Sequence, residues 1–323
     1  MTPLLQASRL VKTFAISRGG RQSRLRAVDD VDLIIAPGEA VGLVGESGCG
    51  KSTLARLLAR LIERDSGDIR LDGAEIGGVS LERFTASPDR RRIQMVFQDP
   101  TDSLNPRFSA FDAIADPVRV LIKPRSRAEL ESRVFAAADR VGLAREVLPR
   151  FPHQLSGGQK ARVGIARAMV VEPKLLILDE PTSALDVSAQ ANVLKLLARL
   201  SHESAVSLLF VSHDLNVVRL LCDRVAVMYL GKIVETGRAS EVFSAPRHPY
   251  TRALISAIPR IGVRDDARER LDGEPRSPID PDPRACGFHG RCVRQREMCA
   301  REPPELRTSA PAREERCHFP VET

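Results

Sequence analysis

Apolar and polar residues alternate with a period of two over residues 4–16 and again over 27–35, which predicts two half-buried strands. The arginine-, glycine- and serine-rich stretch up to Arg26 reads as the loop between them, and Ala36-Pro37-Gly38-Glu39 as a turn. Ala40-Val41-Gly42-Leu43-Val44 is apolar throughout, the mark of a strand covered on both faces. A glycine-rich loop follows, and over 52–62 the period lengthens, with Leu54, Leu57, Leu58 and Leu61 on one side of a helix. Residues 93–97 give another strand, and 107–170 are mostly helical in pattern, 128–141 being the clearest helix. Apolar strands return at 175–178 and 207–211, separated by a helix at 188–200. This alternation predicts an α/β fold whose parallel sheet is covered on both faces. Near Arg238 the pattern changes. A helical piece to Ile258 gives way to a tail rich in proline and arginine that carries four of the six cysteines.

Composition narrows the class more than the fold. The 323 residues are 43% hydrophobic and 28% charged, enough for a sizeable core in one long domain or two, and collagen, low-complexity chains and wholesale disorder are excluded. No apolar run approaches the roughly 18 residues of a membrane helix; 163–178 is broken by Arg167, Glu172 and Lys174. Residues 1–18 lack a basic segment followed by an apolar one, so a cytosolic protein is expected. The net charge of +7 rests almost wholly on arginines scattered among acids, as over 263–271, and the chain has no tryptophan and 4% aromatic residues. Little surface remains for stacking bases, and no nucleic-acid partner is expected.

The chemistry begins at Gly45-Glu46-Ser47-Gly48-Cys49-Gly50-Lys51-Ser52, which fits G-x-x-x-x-G-K-[ST] in the strand-to-helix context that motif requires. Its glycines let backbone N–H groups converge on phosphates, Lys51 can reach the β and γ phosphates, and the Ser52 hydroxyl can ligate Mg²⁺. Leu175-Leu176-Ile177-Leu178-Asp179-Glu180 supplies two carboxylates at a strand end, Asp179 to hold Mg²⁺ and Glu180 to polarise an attacking water. Leu155-Ser156-Gly157-Gly158-Gln159 is a second glycine-rich turn opening a helix, and thus a second candidate anion site. His213 ends a strand in Val211-Ser212-His213-Asp214. Two anion sites in one chain suggest a dimer that shares its nucleotides.

These segments resemble the ATP-binding subunit of ATP-binding-cassette (ABC) transporters, whose six elements occur here in the family's order. They are the phosphate loop from Gly45 to Thr53, Gln98 in Met95-Val96-Phe97-Gln98-Asp99-Pro100, the LSGGQ signature at Leu155 to Gln159, Asp179-Glu180, Ser183-Ala184-Leu185-Asp186, and His213. The resemblance implies a P-loop ATPase core with an antiparallel β subdomain and a helical subdomain at about 99–168. It implies a nucleotide-binding domain over 1–238 and a small cysteine-containing extension over 239–323. By the same resemblance ATP lies between two cassettes, with Lys51 and Ser52 of one facing the signature of the other. Gln98 touches Mg²⁺ or the lytic water, Glu180 is the base, His213 contacts the γ-phosphate and Asp186 couples the two sites. Phe14 occupies the place of an aromatic that stacks on adenine, although a core aromatic on a strand is an equal reading.

Three segments resemble the oligopeptide and dipeptide importer branch: Phe97-Gln98-Asp99-Pro100 with Ser103-Leu104-Asn105-Pro106, Arg247-His248-Pro249-Tyr250-Thr251-Arg252-Ala253-Leu254, and Leu271-Asp272-Gly273-Glu274-Pro275. That branch implies a peripheral protein on the cytoplasmic face of the inner membrane. Its partners would be a second ABC ATPase subunit, two transmembrane permease subunits and an extracytoplasmic solute-binding protein. Cys286, Cys292, Cys299 and Cys317 are spaced too widely for the usual paired zinc motif. The branch resemblance implies a [4Fe-4S] cluster there, with Zn²⁺ or unligated thiols as the alternatives, and Val293 stands where many relatives carry proline. Cys49 and Cys222 read as small packing residues. A non-transport ABC ATPase acting in DNA repair or on ribosomes is the competing function; it would bring long inserted coiled coils or a second cassette, and neither is present.

Overall fold

A computed structural model describes residues 2–18, 21–203, 205–258 and 277–322; the segments 263–271 and 271–275 singled out above lie outside them. The elements in chain order are β1 (Leu5–Arg18), β2 (Arg21–Ile35), β3 (Ala40–Val44), α1 (Lys51–Leu58), β4 (Ser66–Leu71), β5 (Ala74–Glu75), α2 (Leu81–Ala86), α3 (Asp89–Arg92), β6 (Ile93–Val96), α4 (Ala110–Pro117), α5 (Arg127–Arg140) and α6 (Gly157–Met169). They continue with β7 (Leu175–Asp179), α7 (Val187–Glu203), β8 (Ser207–Ser212), α8 (Leu215–Leu221), β9 (Arg224–Tyr229), β10 (Lys232–Arg238), α9 (Ala239–Ser244), α10 (Pro249–Ser256), α11 (Glu297–Arg301), β11 (Arg307–Ala310) and β12 (Arg313–Glu315). The chain divides into two units, one within Met1–Ile35, Glu39–Gly78 and Val211–Thr323, the other within Ala36–Gly38 and Val79–Phe210.

In the first unit β2, β1, β4 and β5 form an antiparallel sheet in that order. The β1/β2 pairing runs from Leu5↔Ile35 out to Arg18↔Arg21, so residues 21–26, expected as loop, are strand. An antiparallel ladder satisfies its backbone with one face in water, and the polar side chains that suggested a loop sit on such a ribbon. The other strands of this unit, β9, β10, β12 and β11, continue in that order from one side of β3. It runs parallel to β9, Val41↔Arg224 to Val44↔Val227, and β9 continues antiparallel into β10, β12 and β11. Neither β9 nor β10 stands out by alternation, because five of the six residues of β9 are buried whichever face they point to.

The C-terminal strand β12 reaches β10 through Glu235↔Glu315 and Thr236↔Glu314. Glu235 is fully buried, and its carboxylate accepts from the N–H groups of Arg247 and His248, both at 2.9 Å, and from Arg313 at 3.0 Å. A buried carboxylate supplied with three donors is tolerated where an unpaired one is not, and removal of Arg313 would leave a charge in the interior.

The second unit contains β6 and β7 in parallel, in the register Ile93↔Leu175 through Val96↔Leu178. Every residue of both strands is buried. Strands covered on both faces in this way read as near-continuous apolar runs, as both do here. Helices α4 and α5 of this unit start on serines: Ser109 accepts from the N–H of Asp112, and Ser126 from that of Glu129.

Candidate functional site

The phosphate-type loop is made by backbone conformations only glycine supplies. Gly45, Gly48 and Gly50 have φ of 153°, 78° and 109°. A Cβ on Gly45 would lie 2.2 Å from the Met228 carbonyl oxygen, and one on Gly50 only 2.0 Å from that of Ala27. Helix α1 starts at once on Lys51, and Gly50 gives it no side-chain cap. A helix start with no side-chain cap favours an anion at its first N–H groups. Lys51 is buried, and its ammonium donates to the carbonyls of Gly45 (2.9 Å) and Glu46 (3.0 Å). Ser52 and Thr53 are half-buried on the first turn. Cys49 is buried beneath the loop; burial pushes its thiol up, against the opposing pull of Lys51, as a packing residue requires. Cys222 is likewise raised by burial.

His213 is exposed beyond the end of β8, and Asp214 next to it caps α8, accepting from the N–H of Asn216 at 2.9 Å. Phe14 is half-buried on β1, with the Lys12 ammonium 5.4 Å from its ring centroid. One ring face thus already meets a cation.

In the second unit the parallel register does the positioning. Val96 pairs with Leu178, so Gln98 and Glu180, each two residues further on, leave adjacent strand ends together. Gln98 Nε2 donates to Glu180 Oε2 at 3.2 Å. Asp179 is buried at the last position of β7, and Glu180 has φ of 47°, a left-handed conformation that strains a residue with a Cβ.

The serine-glycine turn at 156–159 proves to be a reciprocal cap. Ser156 Oγ accepts from the Gln159 N–H at 3.3 Å, and Gln159 Oε1 accepts from the Ser156 N–H at 2.9 Å. Gly157 and Gly158 leave room for neighbours: a Cβ on the first would come within 3.2 Å of Leu185, and one on the second within 3.3 Å of Ala189. Asp186 opens α7, accepting at 2.8 Å from both the Ala189 N–H and the Ser188 hydroxyl, and these bonds hold its carboxyl below the usual range.

A third group of residues gathers at the loop, one from the Arg247 to Leu254 segment and one from the tail, where no local motif marks it. Tyr250, fully buried on α10, accepts the Glu46 N–H on its hydroxyl at 2.8 Å. Arg291, from the cysteine-bearing tail, grips the Glu46 carboxylate with both terminal nitrogens, at 2.8 and 3.0 Å.

The cysteines of that tail face one another closely enough for Cys286, Cys292 and Cys299 to raise Cys317 further, and burial has the larger part in holding Cys317 up at about 12. Cys292 is raised for the same reason. Yet among the described residues no three His, Cys, Asp or Glu side chains are grouped to hold a metal ion. Among the described residues, neither the expected [4Fe-4S] cluster nor its Zn²⁺ alternative finds a grouped set of ligands.

A family model described as "ABC transporter" matches residues 28–183, and one described as "Oligopeptide/dipeptide transporter, C-terminal region" matches 234–299. A probable peptide ABC transporter ATP-binding protein, y4tS of Sinorhizobium fredii, is 45% identical across 98% of this chain and 89% of its own. The oligopeptide transport ATP-binding protein OppF of Escherichia coli is 47% identical across 88% and 85%. This chain belongs to the ABC transporter family. Among solved structures, the ABC cassette MJ0796 in a dimeric post-hydrolysis state bound to ADP and Pi superposes with a TM-score of 0.64 at 29% identity, covering 73% of this chain and 98% of that one. CbiO1 of Clostridium perfringens, part of the ABC transporter complex cbiONQ, gives 0.63 at 30% identity, covering 76% and 92%. Both residues that hold Glu46 in this ABC protein, Tyr250 and Arg291, lie beyond Arg238, in the region matched by the oligopeptide/dipeptide model. No described helix is long and apolar enough to cross a membrane.

Proposed function

We propose that this chain is the ATP-hydrolysing subunit of an importer of di- or oligopeptides, a peripheral protein on the cytoplasmic face of the inner membrane. It would work with a second ABC ATPase, two permease subunits and an extracytoplasmic solute-binding protein. The observation that carries this reading is the pairing, in one chain, of an ABC transporter match at 28–183 with an oligopeptide/dipeptide transporter C-terminal match at 234–299. The cassette function is assigned to 1–238 and the branch-specific extension to 239–323.

The residues suit the cofactors. The glycine loop and the uncapped start of α1 offer donors to phosphates, and Lys51 would exchange its carbonyl partners for the β and γ oxygens. The Ser52 hydroxyl and Asp179 carboxylate are hard oxygen donors of the kind Mg²⁺ takes, and the bound ion would neutralise phosphate charge. Water attacks the γ-phosphorus, the bond to the β–γ bridging oxygen breaks, and Glu180 receives the water's proton. Gln98, already bonded to that carboxylate, orients the water and reports occupancy to the permeases. His213 contacts the γ-phosphate, Phe14 stacks on adenine, and Asp186 couples the two sites. The Ser156–Gln159 turn of the opposing cassette closes the cleft; with Ser156 Oγ and Gln159 Oε1 engaged in the cap, it would offer the Ser156 O–H, the glycine N–H groups and the Gln159 amide as donors.

The test is Glu180→Gln in the assembled complex. Removing a general base should lower steady-state hydrolysis by about 10²–10⁴-fold while nucleotide binding persists. Hydrolysis at the wild-type rate would remove Glu180 from its role. ATPase activity stimulated by DNA or ribosomes, and not by a peptide-loaded binding protein, would overturn the transport reading.

A further inference from the structure

The contact between Arg291 and Glu46 joins parts of the chain 245 residues apart. Glu46 is the second residue of the phosphate loop, and Arg291 follows the turn closed by His289 N–H to the Cys286 carbonyl. The Arg291 side chain is 6% exposed and that of Glu46 26%. A fork-to-carboxylate pair of this kind fixes direction as well as distance. Around it stand both tyrosines of the chain and Phe288. Tyr229 accepts from the guanidinium at 3.2 Å, the Tyr229 and Tyr250 ring centroids are 4.5 Å apart, and Phe288 meets each edge-on at 5.3 and 5.6 Å. Tyr250 meanwhile takes the Glu46 N–H. The loop's second residue is therefore held by its backbone and its carboxylate at once, from two points of the C-terminal extension.

The turn that presents Arg291 is itself braced. The Cys286 N–H donates to the Cys299 carbonyl at 2.8 Å, and the Arg291 and Cys292 N–H groups donate to the Phe288 carbonyl at 3.2 and 3.1 Å. Gln295 braces the other side, its Oε1 accepting the Gly290 N–H at 2.7 Å.

We propose that Arg291 is a positioning residue for the phosphate loop, and that the C-terminal extension thereby sets the affinity of this ATPase for nucleotide. The proposal rests on the reading of Gly45–Thr53 as the nucleotide site. Loosening Glu46 frees the residues that follow it, Ser47 and Gly48, whose N–H donors must be aligned before a phosphate arrives, and the cost appears as weaker binding.

The experiment measures the dissociation constant of a fluorescent ATP analogue for the full-length chain, wild type against Glu46→Gln, Arg291→Lys and the double variant. Each single variant should bind about tenfold more weakly, because each replaces a two-pronged ionic pair with a weaker contact. The double variant should bind no more weakly than the worse single one, since both break the same pair. In the assembled complex KM for ATP should rise with kcat unchanged, a split that general loss of stability would not produce. Glu46→Gln preserves size at a half-exposed position, so it decides the matter even where Arg291→Lys folds poorly. Wild-type affinity in Glu46→Gln, or losses that simply add in the double variant, would overturn the proposal and leave the assigned function intact. A wild-type chain that binds no ATP analogue would overturn both.

Discussion

Helices α1 and α6 both begin at a glycine-rich turn, and in sequence both read as anion sites. Their first turns differ in what they do with their N–H groups. Gly50 ends the loop before α1 in a left-handed conformation and has no side chain with which to cap those donors. Before α6, Ser156 and Gln159 satisfy each other's backbone, and the two glycines serve mainly to admit Leu185 and Ala189. One turn is open to a ligand by its own construction. The other is closed on itself and presents only the hydrogens left over from its cap. A helix start is thus an anion site to the extent that its own residues decline to cap it.

The sharpest way to break this contrast is Gly50→Ala. An alanine there needs φ near 109° and a Cβ 2.0 Å from a carbonyl oxygen, so the loop must move. At a cost of about 3 kcal/mol for the strained backbone, nucleotide affinity of the isolated chain should fall roughly a hundredfold. Titration with an ATP analogue measures it, and near-normal binding would mean that the loop geometry is not what holds phosphate.

The two turns also differ in how far the sequence exposed them. The loop was legible because its function lives in the backbone: glycine spacing, a lysine and a flanking strand and helix state the conformation directly. The strands at 40–44, 93–96 and 175–179 were legible as nearly unbroken apolar runs, buried at every position, and the helices α1, α5 and α7 by their apolar period. The β1/β2 ribbon beyond residue 18 was not, because its polar faces carry no apolar signal. Nor were β9 and β10, where burial on both sides erases alternation and where Glu235 is charged yet fully buried, nor β12, which consists of three charged residues. The grip of Arg291 on Glu46 was beyond reach in principle. An arginine among 49 basic residues has nothing local to mark it, and its partner lies 245 residues away. For the tail cysteines the branch resemblance implied a cluster where the spacing matched no usual zinc motif, and among the described residues no grouping of ligands for a metal is found.

Two smaller substitutions sharpen the contrast within α6 itself. Ser156→Ala removes the acceptor for the Gln159 N–H and should cost the chain about 1 kcal/mol, read as a lower denaturation midpoint, while ATP-analogue binding by the isolated chain stays as it was. A loss of binding there would return the turn to the class of α1. Gly164→Ala should have the smallest effect and the opposite sign. Gly164 lies inside α6 with an ordinary helical backbone, and a Cβ built on it meets nothing within 4 Å. Alanine loses less backbone entropy than glycine on entering a helix, so a gain of about 0.5–1 kcal/mol is expected in urea or thermal unfolding. A gain at Gly164 beside losses at Gly50 and Ser156 would show three positions at or near glycine-rich turns obeying three different constraints: a left-handed backbone, a side-chain cap, and nothing beyond helix propensity.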